Sequence, residues 1–128
     1  MSKDNNWDKE NIIGVNVNGK SYIEAIAIAK EHFGYFVKTF EEREKNQYGF
    51  FIKSRFEDEN YIEHLWLIPT HLKDDIFTAI VNNVPKNLTN IKFEDVLQIN
   101  KQDVEDWIIW ISESEVLGNF IKKSVVNK

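Results

Sequence analysis

The stretch from Tyr61 to Thr70 is the densest run of aromatic and aliphatic residues in the chain, and its pattern suits an extended strand. It reads Tyr-Ile-Glu-His-Leu-Trp-Leu-Ile-Pro-Thr. Side chains alternate between the two faces of a strand. One face therefore carries Ile62, His64, Trp66 and Ile68, and the other carries Tyr61, Glu63, Leu65 and Leu67. Proline cannot donate to a strand ladder, so we expect Pro69 to end the strand.

Further apolar runs before and after this stretch predict strands that pair with it. They are residues 48–56, 76–81, 96–99 and 104–111. Tight polar turns separate the first three strands, which predicts an antiparallel meander. Residues 12–17, which the turn signal Asn18-Gly19 follows, predict a short edge strand. Residues 116–126 fit a helix or a strand, and we favour a helix that begins near Ser114 or Glu115.

The clearest helix begins at Ser21. Ser21 and Glu24 have the spacing of a capping box, in which each side chain satisfies a free amide at the helix start. Apolar residues then recur at steps of three or four, namely Tyr22, Ile26, Ala29, Phe33, Phe36 and Phe40. This single stripe predicts one amphipathic helix that continues to Arg43 or Glu44 and packs on the core.

Together these elements predict an α+β fold. In this fold, an N-terminal amphipathic helix packs on a bent antiparallel sheet of about five strands, and a short C-terminal helix or strand follows. Short strands and tight turns favour a small SH3-like or OB-like barrel, and an open sheet is the alternative. We predict a loose segment over residues 1–20 and a single globular α+β domain over residues 21–128, since 128 residues suffice to close one core.

Charge and composition exclude several classes of function. The net charge is −5, whereas a nucleic-acid partner requires clustered lysine and arginine. The chain has no cysteine, which excludes disulfides and thiolate catalysis. No apolar run approaches the roughly 20 residues of a membrane helix, and the N-terminus does not resemble a signal peptide. We expect a cytoplasmic protein with no cofactor, no nucleic-acid partner and no membrane association.

Five short segments occur in a recognisable order. They are Glu63–Leu67, Asn82–Leu88, Lys92–Val96, Asp103–Trp107 and Leu117–Phe120. In that order they resemble the Glu-His-Met-Trp strand, Asn-x-Pro loop, Gly-Asp-x-Val turn, Asp-Ile-Ser-Asp-Trp segment and Val-Gly-Gly-Tyr pattern of an uncharacterised bacterial family, domain of unknown function 2314. Glu94 and Asn119 replace two of the family's glycines, which tolerate positive φ more readily. The resemblance implies no established activity.

His64 is the first candidate for chemistry, because histidine titrates near neutral pH. With Asp106 as its acid/base partner it would make the protein a small enzyme. The competing interpretation places His64 in a hydrogen bond inside a barrel. We predict no metal site, because the three histidines are dispersed along the sequence.

The function that we favour is a non-catalytic binding module that recognises a protein or peptide through a groove. The residues predicted to line this groove are His64, Trp66, Asn82, Asp106 and Trp107. An immunity-type protein that neutralises a basic toxin is one form of this hypothesis. Assembly into a homo-oligomer is left open. Among the four tryptophans, Trp110 is the one that we predict to be partly exposed.

Overall fold

A computed structural model describes residues 9–125 of the chain. The helices are α1 (Lys9–Ile13), α2 (Tyr22–Glu31), α3 (Phe33–Glu41), α4 (Arg43–Asn46) and α5 (Phe120–Val125). The strands are β1 (Gly49–Glu57), β2 (Ile62–Lys73), β3 (Ile76–Val81), β4 (Val96–Asn100), β5 (Val104–Ser112) and β6 (Glu115–Gly118). They form a six-stranded sheet in the order β4-β3-β2-β1-β5-β6. The α+β class is confirmed, and the sheet is open rather than closed into a barrel.

The chain divides into two compact units. The central unit is Phe51–Glu105, and the terminal unit comprises the residues up to Phe50 and those from Asp106 onward. The interior of the central unit includes Ile52, Leu65, Leu67, Phe77, Ala79, Val81 and Ile99. The interior of the terminal unit includes Ala25, Ala29, Phe36, Phe40, Phe50, Trp107, Ile109 and Phe120. The proposed boundary at residues 20 and 21 stays a prediction, and residues 1–8 lie outside the described residues.

The segment predicted as one helix from Ser21 is three helices. The capping box at its start is confirmed: Ser21 Oγ accepts from the Glu24 amide at 3.1 Å, and Glu24 Oε1 accepts from the Ser21 amide at 2.8 Å. Regular helix is interrupted at His32 and at Glu42, where φ is −101°. No helix among residues 9–125 is long and apolar enough to cross a membrane.

The predicted apolar stripe packs the helices of the terminal unit. Phe36 and Phe40 are buried, and their rings meet that of Phe50 edge-on at centroid distances of 5.6 and 5.4 Å. Edge-to-face contacts of this kind add to the burial of apolar area. At the start of the stripe Tyr22 is exposed, and Ala25 is buried in addition. The stripe is therefore used for core packing, as predicted.

Three segments have a different structure from the one that the sequence predicted. Residues 12–17 form no strand, because α1 extends to Ile13 and a turn and loop follow. β2 continues through Pro69 to Lys73, with a bulge between Pro69 and His71. A bulge disrupts the ladder locally, and proline is tolerated at such positions. The ambiguous segment 116–126 contains both alternatives, since β6 is followed by α5. The predicted helix start near Ser114 or Glu115 is wrong, because the helix begins at Phe120.

Buried His32 makes the terminal unit sensitive to acid. Its side chain is buried, and Nδ1 has no hydrogen-bond partner among the described residues. Burial lowers the pKa of His32, so the folded state favours the neutral ring. The free energy of unfolding therefore keeps its full value above the ordinary histidine pKa of about 6.5 and decreases as the pH falls below it. We expect the free energy of unfolding to decrease between pH 7 and 5, by at most about 1.4 kcal/mol per pH unit.

Urea unfolding at a series of pH values measures this effect. His32→Leu should reduce the decrease, because leucine fills the site without a titrating group. His71→Gln is the control, since His71 is exposed, and it should leave the decrease unchanged. An unchanged pH dependence in His32→Leu would contradict the assignment.

Candidate functional site

His64 on β2 pairs with Glu105 in the central unit. His64 Nδ1 lies 2.7 Å from Glu105 Oε1. The side chains are 32% and 14% exposed, respectively, so the pair lies near the surface with its carboxylate largely covered. A carboxylate at this distance fixes the orientation of the imidazole ring. Asp106 was the predicted partner of His64, whereas the structure places the carboxylate of Glu105, the residue before it, next to the ring.

Asp106 is instead a structural residue of the terminal unit. Its side chain is completely buried. Oδ1 accepts from the amides of Trp107 at 2.8 Å and Phe120 at 3.1 Å, and Oδ2 accepts from the amide of Ile121 at 2.9 Å. Because the first amides of a helix lack partners within the helix, Asp106 satisfies the start of α5.

Trp107 also belongs to the interior of the terminal unit. Its exposed fraction is 0%, and its indole Nε1 donates to the carbonyl oxygen of Ala29 at 2.9 Å. The predicted groove therefore loses Asp106 and Trp107, which the structure does not bring to the surface. Trp110 is 44% exposed, as predicted.

Trp66 is half-buried, and its backbone fixes the start of the loop that follows β3. The Asn82 amide donates to the Trp66 carbonyl oxygen at 2.8 Å, and the Trp66 amide donates to Asn83 Oδ1 at 2.6 Å. Asn82 therefore contacts β2 through its backbone amide. The side chain that binds β2 belongs to Asn83, which sequence reasoning missed. Lys53 Nζ lies 5.5 Å from the Trp66 ring centroid, within the range of a cation–π contact.

Glu63 fixes the other end of the same loop. Its carboxylate accepts from three successive amides, those of Lys86 at 2.8 Å, Asn87 at 2.5 Å and Leu88 at 3.1 Å. These hydrogen bonds lower the pKa of Glu63, and the bond from the Lys86 amide has the largest effect. The sequence carried a signal for this role, because Glu63 interrupts an apolar strand and an Asn- and Pro-containing loop follows later.

An open cleft of about 540 Å³ lies between the start of β2 and this loop, within the central unit. Its lining comprises Ile62, Glu63, His64, Leu65, Asn83, Val84, Lys86 and Asn87. Ile62 and Val84 are 54% and 76% exposed. The residues that line the cleft therefore combine exposed aliphatic side chains with amide, imidazole, ammonium and carboxylate groups. No group of three or more potential metal ligands occurs in the described part of the chain.

Removing the Glu63 carboxylate should release the loop. In Glu63→Ala we expect the Lys86, Asn87 and Leu88 amides to exchange with solvent about tenfold faster, because they lose their acceptor. Hydrogen exchange followed by NMR measures this directly. The pKa of Glu63 is lowered in the folded protein. The stabilisation of the loop by the ionised carboxylate is therefore complete above the ordinary pKa of about 4.3, and it is lost as the pH falls through the folded-state pKa.

Glu59→Ala is the matched control, because Glu59 is an exposed glutamate in the neighbouring β1–β2 turn. It should leave the exchange of the loop amides unchanged. Equal exchange rates in Glu63→Ala and the wild type would show that the loop holds its conformation without the carboxylate.

The two positions at which glycine was expected retain glycine-like backbone geometry. Glu94 has a φ of 73° and Asn119 a φ of 60°. Both values lie in the left-handed region, which non-glycine residues enter at an energetic cost. The turn geometry is therefore compatible with the resemblance described above, although neither residue is glycine.

Comparison with known proteins agrees with that resemblance. A sequence model of a family described as an uncharacterised protein conserved in bacteria (DUF2314) matches residues 19–128. The chain is similar to the uncharacterised protein YegJ of Escherichia coli strain K12, with 25% identity over 85 residues. That match covers 66% of this chain and 54% of YegJ, so the chain spans about half the length of this relative. No solved structure matches. The chain belongs to the bacterial family DUF2314.

Proposed function

We propose that the protein is a non-catalytic binding protein that holds an extended peptide segment of a partner in the cleft beside β2. The observation that carries this proposal is the composition of the cleft wall. Two aliphatic side chains, Ile62 and Val84, stand exposed beside the polar groups of Asn83 and Asn87. Peptide sites typically combine apolar contacts for affinity with a few polar groups that fix the backbone.

The position of the cleft along β2 favours an extended peptide. β3 pairs with β2 from Leu67 to Lys73, whereas the cleft borders residues 62–65. An extended segment laid along this part of β2 would run beside an existing strand, which is a common mode of peptide recognition. The Asn83 and Glu63 hydrogen bonds hold the opposite wall in place, so little ordering is required on binding.

The cleft also indicates the chemistry of the peptide. Aliphatic or aromatic side chains would cover Ile62 and Val84. A carboxylate would suit Lys86, which is exposed and contributes to the lining. Glu63, by contrast, has its charge compensated by three amides. We therefore expect an apolar peptide with at least one acidic group. The hypothesis of a basic toxin as partner rests on net charge alone and stays a prediction.

Selection from a random peptide library, followed by fluorescence anisotropy with the enriched peptides, tests the proposal. Val84→Ser and Ile62→Ser should each weaken binding about tenfold, through loss of apolar contact area. Val96→Ser is the matched control, because Val96 is 64% exposed in the same unit and does not line the cleft. Failure to enrich any peptide, or enriched peptides that bind all four proteins equally, would overturn the proposal.

A second candidate is acid/base chemistry at His64, with Glu105 as its partner. The observation that favours it is the 2.7 Å contact between Nδ1 and Oε1, since a carboxylate that orients histidine is a recurrent part of catalytic sites. Hydrolysis of a panel of ester, amide and phosphodiester substrates tests it. Activity that His64→Gln and Glu105→Gln both abolish would support it, and a panel without turnover would count against it.

A further inference from the structure

β4 lies at one end of the strand order and presents an unprotected edge. It pairs with β3 on one side, and no other strand of the described chain follows it in the sheet. Its five residues, Val-Leu-Gln-Ile-Asn, include no charge and no proline. Proteins usually protect sheet edges with charges, proline or a covering element, because an open edge attracts further strands.

β6, at the other end of the strand order, is treated differently. Within the terminal unit, Lys9 Nζ of α1 lies 2.9 Å from Glu115 Oε2 at the start of β6. Ile12 and Ile13 of α1 line a common cavity with Val116 and Leu117. A helix therefore contacts β6, whereas β4 has no charge of its own and its Val96 and Gln98 are exposed. The contrast makes β4 the candidate for pairing with another chain.

The hydrogen bonds of β4 show which backbone groups face outward. The Val81 amide donates to the Asp95 carbonyl oxygen at 2.8 Å, and the Lys101 amide donates to the Asp75 carbonyl oxygen at 2.9 Å. Residues 95 and 101 thus direct their backbone toward β3. Because direction alternates along an antiparallel strand, residues 97 and 99 do the same, and Val96, Gln98 and Asn100 direct their N–H and C=O groups outward.

We propose that β4 pairs in an antiparallel manner with β4 of a second copy of this chain, about a two-fold axis at Gln98. In this register Gln98 lies opposite Gln98 of the second copy, and the outward groups of Val96 lie opposite those of Asn100. Leu97 lies opposite Ile99 of the second copy, on the face of β4 that packs against the interior of the central unit in each copy. An isologous interface requires this kind of self-complementarity.

The residues that flank β4 are complementary in the same register. Asp95 lies opposite Lys101 of the second copy, so opposite charges face each other at both ends of the interface. Within the chain Asp95 accepts from the Lys92 amide at 2.9 Å, and Lys101 Nζ lies 3.4 Å from Asp75. A shift by one residue would place apolar side chains on the wrong face and break both charge pairs. A strand from an unrelated protein would not be expected to match both the apolar face and the two charge pairs of this register.

The length of β4 sets the expected strength of the dimer. Five residues on each copy form a small interface, of the size found in weak and transient complexes. Sedimentation velocity should therefore show a monomer–dimer equilibrium between about 10 µM and 1 mM. A wild-type protein that stays monomeric over this whole range overturns the proposal.

Gln98→Pro removes the outward amide without touching the ladder to β3, since residues 97 and 99 face that strand. It should weaken dimerisation at least tenfold, with folding checked by circular dichroism. Gln98→Thr is the matched control, because it keeps the amide and suits a strand, and it should dimerise like the wild type. Lys101→Glu is a second variant, which should weaken the dimer by placing like charges opposite each other. Unaltered dimerisation of both Gln98→Pro and Lys101→Glu would refute the register.

Cross-linking tests the two-fold axis directly, because an introduced cysteine is unique in a chain without cysteine. Gln98→Cys should yield a covalent dimer with a short bismaleimide. Glu94→Cys is the control, since its two copies would lie roughly 27 Å apart at about 3.4 Å per residue. Equal yields from the two variants would contradict the axis at Gln98.

Discussion

Replacing Gly118 by alanine is expected to destabilise the protein by about 3 kcal/mol or more. Gly118 has a φ of 86°, in the region that side chains with a Cβ avoid. A Cβ there would collide with the Trp107 carbonyl oxygen and would lie 2.7 and 2.9 Å from Cε3 and Cζ3 of the Trp107 ring. The same carbonyl accepts from the Asn119 amide at 2.7 Å, so it cannot withdraw without breaking that bond.

Gly19→Ala is the control that separates the two costs. Gly19 also has a positive φ, 78°, but a Cβ there would meet nothing within 4 Å. We expect a loss of about 1 kcal/mol from backbone strain alone. Urea unfolding of the two variants measures the difference between them. Equal losses would mean that the backbone around Trp107 yields to the added methyl group.

The second large effect is expected for Asp106→Ala, at about 3 to 5 kcal/mol. The variant leaves the amides of Trp107, Phe120 and Ile121 without their acceptor in a buried site. An unsatisfied buried amide costs roughly 1 to 3 kcal/mol. Asp106→Asn keeps one acceptor oxygen and should lose less. Chemical denaturation again provides the measurement.

Asp103→Ala is the control, because Asp103 is an exposed aspartate just before β5 and should change stability by less than about 0.5 kcal/mol. The comparison also distinguishes a structural role from a catalytic one. A carboxylate held in place for chemistry alone would leave the protein equally stable, or more stable, when removed. A loss below about 1 kcal/mol in Asp106→Ala would therefore contradict the capping role.

The strands were predictable because their residues alternate. β3 begins and ends where the sequence placed it, at Ile76 and Val81, and β2 begins within one residue of the prediction. The sequence also indicated the capping box at Ser21. It did not reveal the helix breaks at His32 and Glu42. The apolar stripe continues at helical spacing through His32 as far as Phe40, and no breaking residue marks Glu42. The spacing of apolar residues does not by itself predict where the helical backbone is interrupted.

The site was less predictable, because its contacts connect distant parts of the sequence. His64 meets Glu105 over a separation of 41 residues, and Glu63 reaches Lys86 over 23. Choosing between Glu105 and Asp106 required the orientation of side chains along β5. That orientation is irregular, since Asp106 and Trp107 are both buried although they are neighbours. A strict alternation therefore gave no guide to which carboxylate reaches the histidine.

The hydrogen bond between the Trp107 indole and Ala29 has a consequence for biosynthesis. It joins groups 78 residues apart, and the carbonyl oxygen of the same tryptophan accepts from the Asn119 amide. During translation, α2 and α3 leave the ribosome long before the residues that complete their core. Contacts of such long range also slow folding. The apolar face of the nascent helices therefore stays exposed until those residues have been synthesised. We expect chaperones to bind this segment during translation.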